Sequence, residues 1–270
     1  MFKTRLSSGI LLVIATIATL YFGGVVTFAV LTIVSLVGVN ELLRIFEIEK
    51  SAMAVTVYCA TILYYLMLLF NVGSWGFTFL IAALIFLLGC YVFCYPKYHA
   101  HQLMASFFSL IYVSIMMSYI YQLRILPNGG EYVVLIFIAA WGTDTFAYCS
   151  GMLLGKHKMT PLLSPKKTVE GAIGGLIGSA LLGALYGFII ANKLRLDFNP
   201  VVIFPVVCII GGAVSMIGDL AASAIKRNFD IKDYGTLIPG HGGILDRFDS
   251  IIIVAPIVYL VMAMLTGATL

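Results

Sequence analysis

The stretch Val201–Asp249, VVIFPVVCIIGGAVSMIGDLAASAIKRNFDIKDYGTLIPGHGGILDRFD, changes character halfway. Residues 201–224 are apolar apart from Ser215, Asp219 and Ser223, and a bilayer crossing needs about 20 mainly apolar residues. From Ser223 onward charge is dense. Of the 16 basic and 12 acidic residues in the chain, nine lie between Asp219 and Asp249. A run long enough to cross a membrane that ends in concentrated charge reads as a spanning helix delivering a polar segment to one face of the bilayer. Charge gathered in this way needs a ligand or a solvated face.

The spacing inside the stretch narrows the choice. If the apolar helix continues through Arg227, then Asp219, Ser223, Lys226 and Asp230 fall on one stripe with Arg227 beside it. Next comes Pro239-Gly240-His241-Gly242-Gly243, a turn sequence whose glycines let backbone N–H groups approach an anion. Asp246 and Asp249 follow at the entry to the last apolar segment, where a helix N-terminus also favours anions. Lys and Arg with Gly-rich backbone suit phosphates, and several Asp without nearby Cys suit a hard divalent cation such as Mg²⁺. The combination reads as a metal-assisted polyphosphate site. Blander roles stand beside it: Asp249 as a helix cap, His241 as a turn residue, Asp233 as a solvated acid, and Ser223 bonded back to its own helix.

The rest of the chain sets this site in a membrane. With 61% hydrophobic and 10% charged residues and a mean hydropathy of +1.07, the 270-residue sequence is far from the globular norm of roughly a quarter charged. The expected fold is an all-α polytopic membrane protein of about nine transmembrane helices, near 10–23, 25–45, 52–70, 76–95, 104–123, 131–153, 168–190, 201–224 and 249–268. Nine crossings with the N-terminus in the cytoplasm and the C-terminus outside put thirteen Lys and Arg on the cytoplasmic side. Only Arg124, Lys193 and Arg195 then lie outside, as the positive-inside bias requires. The net charge of +4 is then a topology signal and no argument for nucleic acid. The basic N-terminus before an apolar run lacks a small-x-small cleavage site and reads as an uncleaved first helix. The five Cys fall within apolar segments and imply no disulfide framework.

The two halves differ. Residues 1–125 read as a transmembrane scaffold and possible dimer region, with Asn40, Glu41, Arg44, His99 and His101 at segment ends. Residues 126–270 read as a catalytic bundle with cytosolic loops 154–168 and 225–248. Asp144 lies inside segment six, and an ionisable residue at that depth marks a functional site by default. The loop Ser164-Pro165-Lys166-Lys167-Thr168-x-Glu170 offers two lysines to anionic headgroups and a cap for segment seven. Gly171, Gly174, Gly175, Gly178, Gly183 and Gly187 in segment seven, with Gly211 and Gly212 in segment eight, read as close helix packing.

The order Ser223-x-Ile225-Lys226-Arg227, Lys232-Asp233-x-Gly235, Pro239-x-His241-Gly242-Gly243, Asp246-Arg247-x-Asp249 resembles the signature of the phosphatidate cytidylyltransferases, or CDP-diacylglycerol synthases, and Ser164–Gly171 resembles a second motif of that family. The resemblance implies transfer of CMP from CTP to phosphatidic acid, giving CDP-diacylglycerol and pyrophosphate. It implies Mg²⁺ on Asp219 and Asp246, with Asp249 or Asp144 as further ligands, and a second cation such as K⁺. Lys226 and Arg227 would share in catalysis. Ser223, Lys232, His241, Gly242, Gly243, Arg247, Lys166, Lys167 and Asp144 would bind the phosphates of CTP or phosphatidate. A homodimer in the cytoplasmic membrane of a prokaryote, its site facing the cytosol, is implied as well. Two competing classes are a CTP-dependent lipid kinase, which would transfer the γ-phosphoryl group, and a transporter, which does not need a Gly-Gly turn set among Lys and Arg. A CDP-alcohol phosphotransferase is disfavoured, because its Asp-Gly-x-x-Ala-Arg core is absent.

Overall fold

Apolar runs of this length satisfy their backbone in a bilayer by coiling, since a helix pairs its N–H and C=O groups within the segment. The computed structural model describes residues 2–72, 75–161, 163–193 and 198–267, with side chains of the first helix from Ser7; Arg195, one of the three basic residues expected outside, lies outside the described residues. Helix α1 is Phe2–Phe22. Eight further helices are long and apolar enough to cross a membrane: α2 Gly24–Ile45, α3 Ala52–Leu69, α4 Gly76–Phe93, α5 Ala100–Ile125, α6 Gly129–Leu154, α7 Val169–Ile190, α8 Pro200–Asn228 and α9 Leu245–Thr266. The protein is a polytopic, essentially all-α membrane protein. An antiparallel hairpin interrupts it between α6 and α7: β1 (Lys158–Thr160) pairs with β2 (Ser164–Thr168), Lys158 opposite Thr168 and Thr160 opposite Ser164.

Helix ends depart from the sequence expectation where charge is dense. Helix α9 starts at Leu245 rather than 249, so Asp246 and Asp249 stand in its first turns. Helix α8 does run past Arg227, but Asp230 leaves the stripe: it takes a left-handed φ of 52° just past the C-cap Phe229. The Ile231 N–H then bonds the Lys226 carbonyl at 3.0 Å, a Schellman closure in which the αL residue is Asp instead of the usual Gly.

The chain forms two units. The first comprises residues up to Gln122 together with Asp233–Arg247. Inside it, hydroxyls link the helices: Ser35 to Tyr65 at 2.7 Å and Thr61 to Ser114 at 2.7 Å, the kind of polar glue that holds helices in lipid. Helix α4 leaves Phe77, Phe86 and Phe93 exposed, apolar surface suited to acyl chains.

The second unit comprises Leu123–Lys232 and Phe248–Leu270. Here glycines set helix spacing. A β-carbon at Gly175 of α7 would stand 2.8 Å from the Thr143 carbonyl oxygen of α6, and one at Gly183 would stand 3.0 Å from the Phe204 carbonyl oxygen of α8. Backbone-to-backbone approach of this order needs residues without side chains. A π-helical turn, Ile138–Gly142, interrupts α6 directly before Thr143 and Asp144. Such turns are frequent at functional sites.

Candidate active site

In the second unit the polar chemistry is built outward from the start of α7. Thr168 is its N-cap, its Oγ accepting from the Gly171 N–H at 3.1 Å. Glu170 reaches back to the chain ahead of the hairpin. Its Oε2 accepts from the Lys156 N–H at 3.1 Å and the His157 N–H at 3.2 Å, and its Oε1 lies 2.5 Å from His157 Nδ1. His157 is 79% exposed, so the ion pair itself adds little; what Glu170 does is hold the hairpin to the helix end.

The hairpin closes one side of a cleft of about 450 Å³. Lys158, Ser164, Lys166 and Lys167 bring charge and hydroxyl to it, Asp144 enters from α6, and Tyr148, Met152, Met159 and Met216 form an apolar wall. The ammonium of Lys167, which lines the cleft, pairs with Asp219 of α8. Asp144 lies within electrostatic reach of Asp219 and Lys167, and Asp249 of α9 within reach of Asp219, Asp144 and Lys226. Asp249 Oδ1 also accepts from the Ser250 N–H at 2.8 Å. Three acids that the sequence spreads over more than a hundred residues, from Asp144 to Asp249, thus share one unit with two lysines. Like charges at this proximity repel unless cations sit among them, and Lys167 and Lys226 supply two. Of the other expected residues, Ser223 is half-buried on α8, and Arg227 and Lys232 are exposed.

In the first unit the loop 233–247 folds around two carboxylates. Asp246, 8% exposed, accepts at Oδ2 from the Tyr234 N–H at 2.7 Å and the Gly243 N–H at 2.9 Å. Glu41 of α2 accepts at Oε1 from the Ile244 N–H at 3.0 Å and at Oε2 from the Leu245 N–H at 2.9 Å. The N–H of Gly243, expected to face a substrate anion, here serves the chain's own Asp246. Gly242, at φ +82°, gives its carbonyl to the Ile238 N–H at 2.8 Å. His241 Nδ1 lies 2.8 Å from Ser8 Oγ, and Arg247 Nε donates to the His241 carbonyl at 2.9 Å. Glu41 has no special place in the sequence reading. An acid at the end of an apolar span has a sufficient account in solvation, and its partners follow more than 200 residues later.

Fold and polar inventory together define a polytopic membrane protein whose acids and bases gather around a loop and a hairpin between spans. Residues 3–265 match the cytidylyltransferase family, and the chain belongs to it. Curated relatives include the phosphatidate cytidylyltransferase of Staphylococcus saprophyticus, 33% identical over 265 residues that make up 96% of this chain and 98% of the relative. Those of Staphylococcus haemolyticus and Staphylococcus aureus (strain COL) are each 34% identical over the same shares.

The divalent cation that the family resemblance implies can be tested against the residues present. Among the described residues no three His, Cys, Asp or Glu side chains form a ready-made metal site. The donor chemistry nevertheless fits. Asp144, Asp219 and Asp249 offer oxygen alone, which suits a hard cation, and the Lys167 ammonium on Asp219 is a cation already held there.

Proposed function

We propose that this protein transfers the cytidylyl group of CTP to phosphatidate, leaving CDP-diacylglycerol in the membrane and releasing pyrophosphate. The observation that carries the reading is the cleft of the second unit, where Lys158, Lys166, Lys167 and Asp144 stand against an apolar wall. An amphiphile with a phosphate head needs both surfaces. One oxygen of the lipid phosphate forms the new bond to the α-phosphorus of CTP as the bond from that phosphorus to the bridging oxygen of the β-phosphate breaks, and the electron pair leaves with pyrophosphate. A phosphate monoester is largely ionised near pH 7, so the nucleophile needs no general base, in keeping with a cluster built from Asp and Lys. Lys166, Lys167, Lys226, Arg227, Lys232 and Arg247 neutralise the phosphates, and Ser223 adds a hydroxyl. Positioning and charge stabilisation are the residues' work.

A Mg²⁺ ion, when bound by Asp219 with Asp144 and Asp249, would supply charge to the triphosphate oxygens as a Lewis acid. Resemblance to the family adds Asp246 to the residues assigned to the cation, and substitution tests Asp219 and Asp246 separately. A second cation such as K⁺ and a homodimer are carried by resemblance to the family. The basic-residue bias supports nine crossings with α1 included, the N-terminus in the cytoplasm, the C-terminus outside and the site facing the cytosol of a prokaryotic inner membrane.

The test is purified protein in mixed micelles with phosphatidate, Mg²⁺ and CTP labelled at either the α- or the γ-phosphate. Label from the α-position should enter the lipid, with one pyrophosphate released per lipid product. Asp219→Asn and Asp246→Asn should each lower kcat by about 100-fold or more, the scale of losing one transition-state charge contact. Label entering lipid from the γ-position would instead show a kinase and overturn the reading.

A further inference from the structure

Glu41 stands outside the cluster of acids and bases just assigned, on a helix whose sequence suggests only scaffold. It is 5% exposed, and an uncompensated carboxylate at that burial is costly. Its compensation is specific. Each oxygen takes one N–H at the start of α9, Ile244 at 3.0 Å and Leu245 at 2.9 Å, groups that have no partner within their own helix. The end of α9 where an anion is most favoured is thus filled by a side chain of α2.

The loop is also shaped to this carboxylate. A β-carbon at Gly243 would meet Glu41 Oε2 at 2.5 Å and one at Gly235 would meet Glu41 Cδ at 2.8 Å, contacts that real β-carbons do not make. Gly235 has no positive φ among the strained positions, so its lack of a side chain answers to space rather than to backbone freedom. Two glycines of the charged signature therefore close on Glu41 from the two ends of the loop. Asp246, one residue after Leu245, ties the same two ends through the N–H groups of Tyr234 and Gly243.

We infer that Glu41 is a positioning residue for the cytidylyl transfer: bonded to the Ile244 and Leu245 N–H groups and enclosed by Gly235 and Gly243, it fixes the loop that carries Asp233, His241, Asp246 and Arg247. This rests on the proposed function only in assigning that loop to the reaction. Glu41 does not touch substrate; it acts through Asp246 and its neighbours.

The test compares wild type with Glu41→Gln, Glu41→Asp and Gly235→Ala in detergent–lipid micelles, by two readouts. The first is amide hydrogen exchange of the 233–247 segment without substrate. Gln keeps the size of Glu but turns an NH₂ toward a backbone N–H, so exchange at Ile244 and Leu245 should rise at least 10-fold in Glu41→Gln while that of α3 stays as in wild type. The second is steady-state kinetics. We expect kcat to fall at least 10-fold and the Mg²⁺ concentration for half-maximal rate to rise several-fold, with little change in KM for CTP. Gly235→Ala should reproduce both effects, and the double variant should be no worse than the poorer single one, since both break one arrangement. Unchanged exchange at Ile244 and Leu245 overturns the inference, as does a loss of activity that only follows the loss of folded protein with the Mg²⁺ requirement unmoved. Should Glu41→Gln not fold, Gly235→Ala and Glu41→Asp carry the same two readouts. Failure of the proposed function would appear in the wild-type arm as absent lipid product, whereas the exchange readout reports on Glu41 whatever the reaction is.

Discussion

Lys167 shows how much one side chain decides here. Its ammonium is paired with Asp219 and stands near Asp144, so removing it leaves acids facing acids. A fully buried pair broken on one side costs about 3–5 kcal/mol; Lys167 and Asp219 keep 25% and 29% exposure, and solvent screening reduces the effect. About 2 kcal/mol is a sensible scale, roughly 30-fold in a rate or equilibrium. Lys167→Met should lower kcat/KM by about that factor, measured with CTP varied at saturating phosphatidate. Lys167→Arg should restore only part of it, because a planar guanidinium does not fill the place of a compact ammonium. A variant as active as wild type would remove Lys167 from the site. Asp144 and Asp219 stood out in the sequence because each breaks the hydropathy of its surroundings, and Lys167 because it stands in the Ser-Pro-Lys-Lys-Thr loop ahead of α7. Glu41 did not, because its partners are backbone N–H groups that follow more than 200 residues later, and no side-chain pattern records them.

Among the helices, α8 and α9 meet where glycine permits it. A β-carbon at Gly218 would stand 2.9 Å from the Asp249 carbonyl oxygen and 3.4 Å from Ser250 Cα, so the obstacle is α9 backbone rather than a movable side-chain tip. Overpacking of this kind typically costs 1–3 kcal/mol, and here the displaced segment carries Asp249 while the next residue on α8 is Asp219. Gly218→Ala should therefore lower kcat by about 10-fold or more while the protein still inserts and purifies. Gly76→Ala, at a position where an added β-carbon meets nothing within 4 Å, should leave the rate unchanged. Equal effects at both positions would mean that the spacing of α8 and α9 is not what matters. The helices could be read in advance because length and hydropathy are enough to define a span. The β1–β2 hairpin could not: Ser164-Pro165-Lys166-Lys167-Thr168 carries a Pro and two adjacent charges with no apolar alternation, and the bonds from Glu170 to the Lys156 and His157 N–H groups ahead of it leave no mark in the sequence pattern. Nor could the start of α9, since Asp246 and Arg247 look like loop residues until Glu41 is seen taking the Ile244 and Leu245 N–H groups and Asp246 those of Tyr234 and Gly243 just ahead of the helix.

For the molecule as a membrane protein, the charge distribution yields a prediction of which way it faces. Among the described residues eight helices qualify as spans by length and composition, and α1 is apolar over Ser7–Phe22. If α1 also crosses, the connections 46–51, 94–99, 155–168 and 229–244 share a side with the N-terminus, and that side holds thirteen of the 16 basic residues. The reverse orientation would put nearly all of them outside, against the bias that governs insertion. CTP is a cytosolic nucleotide, so the same orientation is the one that lets Lys166, Lys167 and Lys226 reach it. The prediction is made on a variant with all five native Cys replaced by Ala. A single Cys at Lys156, an exposed position before the hairpin, should react with a membrane-impermeant maleimide only in inverted membrane vesicles. One at Asn128, between α5 and α6, should react only from the outer face of intact cells. If nine crossings separate the ends, a reporter at the C-terminus should sit on the Asn128 side and one at the N-terminus on the Lys156 side. Both termini on the same face would remove α1 from the count of spans, whereas labelling of Lys156→Cys from outside would place the lysine-lined cleft away from its nucleotide and refute the cytosolic site.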